Sequence, residues 1–578
     1  MSGKKLGMGV AVAAMAMGVI STDAIFHPTV ANAQALDRIT QGIKREPNNE
    51  VRLSARDEIT VSEDETQILP VLRGVVIVNS PGQIIEGGTS ATGVEARGDV
   101  APASVISAAS AHVGAPVSLA SLDRMTRDMV LAFRDAGLPV VNVVIPPQDV
   151  SNGVIQILAV VGRVGNVEVS GNTSNPQYYS EGFPLGQGDV VEEAAVLDHL
   201  RWKSRRFHRR VDAVYSPGDS FSATDLTFQV TEDKPWVVFF GADNTGSGGV
   251  GEYRLFGGFS IGDLWGLDHE LSYQYTTSEE GHDALSAHAV TYTLPIWHRA
   301  DLQLAGAWVE SGAEAGPGFT TGESTQLSAT VIQQLNRLRD WSRDARYGFE
   351  YKKSNSDFEF GGINVFGNET QIGQFFGQIT GQRGDSKSAT LAHIGLWWSP
   401  GGLFDNNTDE AFEGSRGGAD ANYVYLRAGA DHTMFLPGDV RFNADIDFQV
   451  AADRLLPSEM MYLGGLNSVR GFDENAVRGD NGIVARFELQ GPAMHLATDG
   501  TQDALRAYAF FDIGAVSING TKTVGEEDAH LAGAGLGLIY QYDSNLSAEL
   551  AYGWKMHTPA LVDDDHDGQF HFRILTSF

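Results

Sequence analysis

Arg470 sits in a loop that gives it no local reason to be there. The stretch "LGGLNSVRGFDENAVRGDNG", Leu463 to Gly482, is polar and glycine-rich, with Val469-Arg470-Gly471-Phe472 at its centre. A connector only has to be soluble, and an aromatic beside an arginine adds nothing to that. A guanidinium is always charged and donates in a planar fork, so one that leaves bulk water demands a carboxylate. Other candidate chemistry is thinner. "AVRGD" contains Arg478-Gly479-Asp480, an integrin-type tripeptide that reads as an ordinary loop turn. "DDDHDG" puts Asp563, Asp565 and Asp567 at calcium-loop spacing before Gly568, but the twelfth position is Ile574 rather than Glu, so an acidic loop is the expectation. The run "RWKSRRFHRR", Arg201–Arg210, reads as a solvated face that could touch anionic lipid or an acidic protein. Histidines are scattered without metal-ligand spacing, and there is no G-x-S-x-G elbow, Walker loop or Cys/His pair. No catalytic residue, metal or cofactor is expected, so the chain does not read as an enzyme.

The elements that position the arginine loop follow from the rest of the sequence. The chain has 578 residues and a formal net charge of -32, with Asp+Glu 73 against Lys+Arg 41. That balance excludes nucleic acid as a partner, because a phosphate backbone needs a basic face. Lys4 and Lys5 precede an apolar run from Leu6 to Ile20, and small residues at Ala31, Ala33 and Ala35 fit a cleavage site. Residues 1–35 are therefore expected to be a signal peptide rather than an anchor helix. No other stretch reaches the roughly 18 apolar residues of a spanning helix. Cysteine is absent, so no disulfide or thiol chemistry is available.

From residue 235 to 578 the pattern has a period of two. In Val440–Val450, Val440, Phe442, Ala444, Ile446, Phe448 and Val450 share one face, and Arg441, Asn443, Asp445, Asp447 and Gln449 the other. "LDHELSYQY", "LSAELAYGWKM" and "IVARFELQ" repeat it. Strands of soluble sandwiches run about five to six residues. These run nearer ten, enough to cross a bilayer when tilted, and Tyr and Trp near their ends fit interfacial girdles. Roughly 340 residues at about 20 per strand and connector give about 16 antiparallel strands, a transmembrane β-barrel wide enough to enclose a lumen. The last segment, "GQFHFRILTSF", ends in Phe578, as in outer-membrane proteins whose final aromatic is read by barrel assembly machinery.

The N-terminal half is mixed. "SLDRMTRDMVLAFRDAG" places Leu122, Met125, Met129 and Phe133 on one helical face, with Gly137 as its stop. Val140–Ile145 and Gly153–Val161 read as strands, Val164–Val169 opens a new unit, and "EEAAVLDHLRW" reads as a second helix before strands at "RVDAVYS" and "SATDLTFQVTED". Two small α+β units result, at residues 66–162 and 163–234.

Here a resemblance appears. "FRDAGLPVVNVVIPPQDVSNGVIQILAVVGRVGNVEVSGN" resembles the polypeptide-transport-associated (POTRA) domain of two-partner secretion transporters, the haemolysin secretion/activation family. "DNTGSGGVGEYRL", "RLLPSEMMYLGGLNSVRGF" and "FFDIGAV" resemble that family's first barrel strands, its lumen-folded loop and the strand that partners it. The matches spread over nearly the whole chain beyond residue 35. Residues 80–100 make a longer opening loop than the pattern suggests, and 36–65 would be a leader, either without structure or with a pore-plugging helix on Leu36, Ile39 and Ile43.

The resemblance implies two POTRA domains in the periplasm, a barrel in the outer membrane of a Gram-negative bacterium, and a loop near 463–482 folded into the lumen. It supplies the missing carboxylate: the Phe-x-Asp-x-Gly pattern is met by Phe510, Asp512 and Gly514. Arg470 would pin the loop to Asp512, Gly471 would turn the backbone, Phe472 would pack on the wall, and Gly514 would leave room. The implied activity is export of one cognate secreted protein, a large adhesin or haemolysin, caught unfolded by the POTRA domains. The implied partners are that exoprotein, outer-membrane lipid and the barrel assembly machinery. Rival readings are an assembly factor that inserts other barrels, which usually has more periplasmic units, and a passive porin, which needs neither those units nor the ion pair.

Overall fold

The computed structural model describes residues 53–54 and 63–578, apart from 99–100, 247–249, 316–317, 361–362, 498–502, 523–525, 544, 561 and 563–565. The expected signal peptide and the Leu36–Ile43 helix lie outside the described residues.

The first unit is a four-stranded sheet ordered Gly93–Ala96, Gly74–Val78, Val154–Val161, Val141–Val144. Gly74–Val78 runs parallel to both of its neighbours, and Val141–Val144 pairs antiparallel at the edge. The helix Leu119–Asp135 starts at a reciprocal cap: Ser121 N donates to Ser118 Oγ at 3.1 Å, and Ser118 N donates to Ser121 Oγ at 2.8 Å. It ends at Gly137, whose φ of 83° closes the last turn. Met125, Met129 and Phe133 pack into a core with Val75, Ile77, Ile155 and Ile157. The long opening loop expected at residues 80–100 contains the strand Gly93–Ala96, and a further helix, Ala103–Ser110, follows it.

In the second unit, Arg163–Asn172 pairs parallel with Ala223–Glu232, which pairs antiparallel with Arg209–Pro217. Leu53–Ser54, from the segment expected to be leader, adds a short parallel pairing to the free side of Arg209–Pro217. The helix Glu193–Lys203 covers this sheet, and Tyr179, Leu200 and Phe228 are central to its core.

Sixteen strands from Trp236–Asp243 to Gly568–Ser577 close into a barrel in which neighbours are antiparallel. Closure sets Phe239 opposite Ser577 and Asp243 opposite Arg573. The polarity is inverted relative to a soluble protein. On Val440–Ala451, Ile446, Phe448 and Val450 are exposed on the outside, while Arg441, Asn443, Asp445, Asp447 and Gln449 are buried inside. Apolar side chains facing lipid and polar ones facing a lumen are what a spanning barrel requires. Trp236, Trp265 and Trp297 stand exposed near the end that carries the N-terminal units, and Trp398, Tyr552 and Trp554 toward the other. One expectation needs correction: several strands far exceed ten residues, with 21 in Gly318–Leu338 and 22 in Ile363–Gly384. A bilayer needs only about ten, so the surplus extends the wall beyond the membrane.

Candidate functional site

Residues 452–480 connect Val440–Ala451 to Asn481–Gln490 without lying on the outside. The segment turns into the barrel, where Val469, Arg470 and Phe472 are each at most 2 % exposed. Gly471 holds a φ of 99°, a conformation that side chains rarely adopt, and so reverses the chain directly after the arginine.

Arg470 meets its carboxylate on the strand Asp503–Ser517. Its Nε donates to Asp512 Oδ2 and its Nη2 to Asp512 Oδ1, both at 2.7 Å, a two-point fork. The Arg470 backbone N–H adds a third bond to Asp512 Oδ2 at 3.1 Å. Nη1 donates to Glu488 on the neighbouring strand. The guanidinium carbon lies 3.7 Å from the centre of the Phe510 ring, close enough for a cation–π contact. One buried cation thus faces two carboxylates, Asp512 being fully buried and Glu488 4 % exposed.

The wall beneath the loop is made of glycines. A Cβ at Gly514 would lie 2.7 Å from Leu463 Cδ1, and one at Gly553 would lie 2.5 Å from Gly471 N. At Gly533 it would collide with the Arg470 carbonyl oxygen. Three adjacent strands, Asp503–Ser517, Ala529–Tyr542 and Leu546–His557, therefore omit side chains where the loop lies. On the last strand, His571 Nε2 accepts from Gly471 N at 3.1 Å. Leu463, Val469, Phe472, Val477, Val484 and Val516 close a small apolar core around the ion pair.

Residues 222–540, covering most of the barrel and the loop, match the profile of the haemolysin secretion/activation protein family ShlB/FhaC/HecB. The chain belongs to this family. Residues 92–162 match the ShlB-type POTRA domain. Among relatives, the heme/hemopexin transporter protein HuxB of Haemophilus influenzae (strain 86-028NP) is 22% identical over 70% of this chain and 71% of its own. The outer membrane transporter CdiB-2 of Burkholderia pseudomallei (strain 1026b) is 23% identical over 74% and 72%. The solved structure of CdiB from Escherichia coli shares the fold, with a TM-score of 0.67 and 18% identity over 94% of this chain and 97% of that one. As a ShlB/FhaC/HecB member, the chain is an outer-membrane translocator with its N-terminal units in the periplasm.

The loop–strand contacts join Val469, Arg470, Gly471 and Phe472 to Phe510, Asp512 and Gly514. Sequence reading missed Glu488, which sits among the alternating polar residues of "IVARFELQ" with nothing to mark it out. It also missed Gly533, Gly553 and His571, whose role exists only in the closed sheet. Phe578 is 67 % exposed on the outside and exchanges backbone bonds with Val238 of the first barrel strand at 2.9 and 3.2 Å.

Two expectations for this ShlB/FhaC/HecB chain fail. Asp480 of the Arg478-Gly479-Asp480 tripeptide is fully buried; Arg416 donates to its Oδ1 at 2.5 Å and its Oδ2 at 3.1 Å, and Leu455 N donates at 2.8 Å. It is a structural carboxylate beneath the outer mouth and not a turn on display. The Arg201–Arg210 run is not a solvated face either. Arg206 donates to Asp301 at 3.0 Å and 3.2 Å, Arg209 donates to Asp268 at 2.6 Å, and Arg205 and Arg201 reach Asp268 and Asp344. Those aspartates lie at the barrel's periplasmic rim, so the run joins the second unit to the barrel. Burial raises the Asp268 carboxyl pKa, but the three arginines beside it outweigh that and hold it well below the usual carboxylate range. Asp563 and Asp565 lie outside the described residues.

Proposed function

We propose that this translocator exports one cognate secreted protein through the lumen and that the loop 452–480 is its gate. Arg470–Asp512 is the latch. The observation that carries this reading is the two-point, fully buried ion pair between a connector that could have stayed outside and a wall strand. A loop buried in this way fills space that a threading chain needs. Its buried cation keeps it there, because withdrawal would leave Asp512 and Glu488 uncompensated.

The relatives' names indicate the class of client. HuxB is a heme/hemopexin transporter protein and CdiB an outer membrane transporter, while another relative is the haemolysin transporter protein HpmB of Proteus mirabilis. The client is taken to be a large secreted protein captured unfolded by the periplasmic units, whose sheet edges Val141–Val144 and Gly93–Ala96 offer places for strand addition. Folding outside, where the client buries apolar surface it cannot bury in a pore, supplies direction without nucleotide. Outer-membrane lipid surrounds the exposed apolar face, and Phe578 at the last strand's end is the proposed handle for barrel assembly machinery. The test is cross-linking from residues lining the lumen during export. A single secreted protein caught with Arg470 intact and lost with Arg470→Ala supports the reading. Many outer-membrane barrels caught instead would make the protein an assembly factor.

A further inference from the structure

The loop is held at a second place, on a different stretch of wall and with opposite polarity. Glu459 lies in a short turn, Pro457–Glu459, near the loop's start, and is fully buried. Lys352 Nζ donates to Glu459 Oε1 at 2.6 Å. Tyr425 Oη and Gln374 Nε2 donate to Oε2 at 2.7 and 3.0 Å. The backbone carbonyl of Glu459 is held too, accepting from Arg427 Nη2 at 3.1 Å and Gln449 Nε2 at 3.0 Å. These five partners stand on four strands, Trp341–Phe360, Ile363–Gly384, Asn422–Leu436 and Val440–Ala451. Arg470 and Gly471 take their polar partners from Asn481–Gln490, Asp503–Ser517 and Gly568–Ser577. Among these partners, no wall strand serves both ends.

The two ends are chemical mirror images. At Arg470 a loop cation meets wall carboxylates. At Glu459 a loop carboxylate meets a wall ammonium and neutral donors. A hydrogen-bonded ion released from such a site must be rehydrated or re-paired, so each end resists withdrawal on its own account. The ends also differ in backbone. Around Arg470 the chain passes through glycines with φ of 109°, 103° and 99° at Gly464, Gly465 and Gly471, whereas the turn at Glu459 is a closed helical one with buried Leu455, Leu456 and Met460 packed about it. The glycines, the residues whose backbone can turn most freely once their contacts are released, therefore lie on the Arg470 side.

We propose that Glu459 is the hinge anchor of the gate. It is a positioning residue that stays on its wall when Arg470 lets go, so that residues 464–476 swing beyond it and the Met461–Leu463/Val477–Gly479 pairing, instead of the whole loop leaving the lumen. This rests on the reading of the loop as a gate, and the experiment separates the two. The chain has no cysteine, so single introduced thiols report cleanly. Spin labels are placed at Ser458→Cys and, separately, at Ser468→Cys in the full-length protein in bilayers, and their mobility is read by electron paramagnetic resonance. In Arg470→Ala, the expected result is a label at 468 whose mobile-to-immobile ratio rises at least about tenfold while the label at 458 stays immobile. In Glu459→Gln, the label at 458 becomes mobile by a similar factor. Lys352→Met, which leaves the loop untouched, should do the same and replaces Glu459→Gln if that variant does not reach the membrane folded. A label at 458 freed by Arg470→Ala alone would overturn the hinge, and so would one that Glu459→Gln and Lys352→Met both leave immobile. If Arg470→Ala moves neither label, the gate reading falls, and Glu459 is then judged as an anchor by the 458 label alone.

Discussion

Arg470 and Asp512 meet through three hydrogen bonds, two from the guanidinium at 2.7 Å and one from the arginine's own backbone N–H at 3.1 Å. The third bond makes the contact sensitive to backbone position as well as to charge. Lysine can replace the charge but not the fork. Arg470→Lys and Asp512→Asn should therefore both insert at normal abundance and show the heat-modifiable migration of a folded barrel. Secretion of the client should fall by about tenfold or more, since each loses a charge-assisted bond worth about 1.5–3 kcal/mol. Glu488→Gln keeps Asp512 and should lose less. Quantifying secreted against cell-associated client at equal barrel abundance checks the order; equal secretion by all three would remove the latch.

Gly533 tests the same contact from the wall. A methyl there collides with the Arg470 carbonyl oxygen, whereas one at Gly377, on the exposed face, meets nothing within 4 Å. Gly533→Ala should dislodge the loop without touching any charge, and both it and Arg470→Ala should raise the pore's conductance above the parent's. Gly377→Ala should match the parent protein. Single-channel recording in planar bilayers gives the comparison, and identical traces from Gly533→Ala and the parent would show that the loop does not depend on the glycine wall.

These residues also mark what a sequence can and cannot disclose. The barrel was legible because alternation such as Val440–Val450 is local and each strand carries it whole. The Asp512 contact was reached only through a family pattern, since forty-odd residues separate it from Arg470 and no spacing rule links them. Glu488, Lys352 and Glu459 were invisible for the same reason: a polar residue on an inward face looks alike whether or not a loop lies opposite. The Arg201–Arg210 run was read as solvated because its partners, Asp268 in a turn and Asp301 and Asp344 near the starts of two barrel strands, are far apart in sequence and come together only when the barrel closes. The helix Ala103–Ser110 was missed in a stretch of alanines and serines with only Val105 and Ala109 fully buried.

The joint between the second periplasmic unit and the barrel should depend on those aspartates. Asp268 and Asp301 accept from Arg205 and Arg206 together. Asp268→Asn with Asp301→Asn would leave buried guanidinium groups uncompensated, at a cost of about 3–5 kcal/mol. Hydrogen exchange over residues 201–211 should speed up markedly while the barrel strands keep their protection. Unchanged exchange in that segment would mean that packing, not charge, sets the unit's position.

Acid should loosen the same unit. His199 is buried, with Nε2 donating to the Tyr179 carbonyl at 2.7 Å, and burial pushes its pKa down to about 4. Burial, aided by Arg209, pushes that of His208 down to about 4 as well. An unfolded histidine takes up its proton near pH 6.5. Between those values the unfolded state binds more protons than the folded one, so stability rises with pH and is lost as pH falls from about 6.5 toward 4. At pH 5 each histidine withdraws up to about 2 kcal/mol. Exchange across the helix Glu193–Lys203 should therefore be faster at pH 5 than at pH 7 after correction for the intrinsic rate. His199→Gln, which carries no titratable proton, should flatten about half of that difference. A helix equally protected at both pH values would show that these histidines do not stay neutral when the unit is folded.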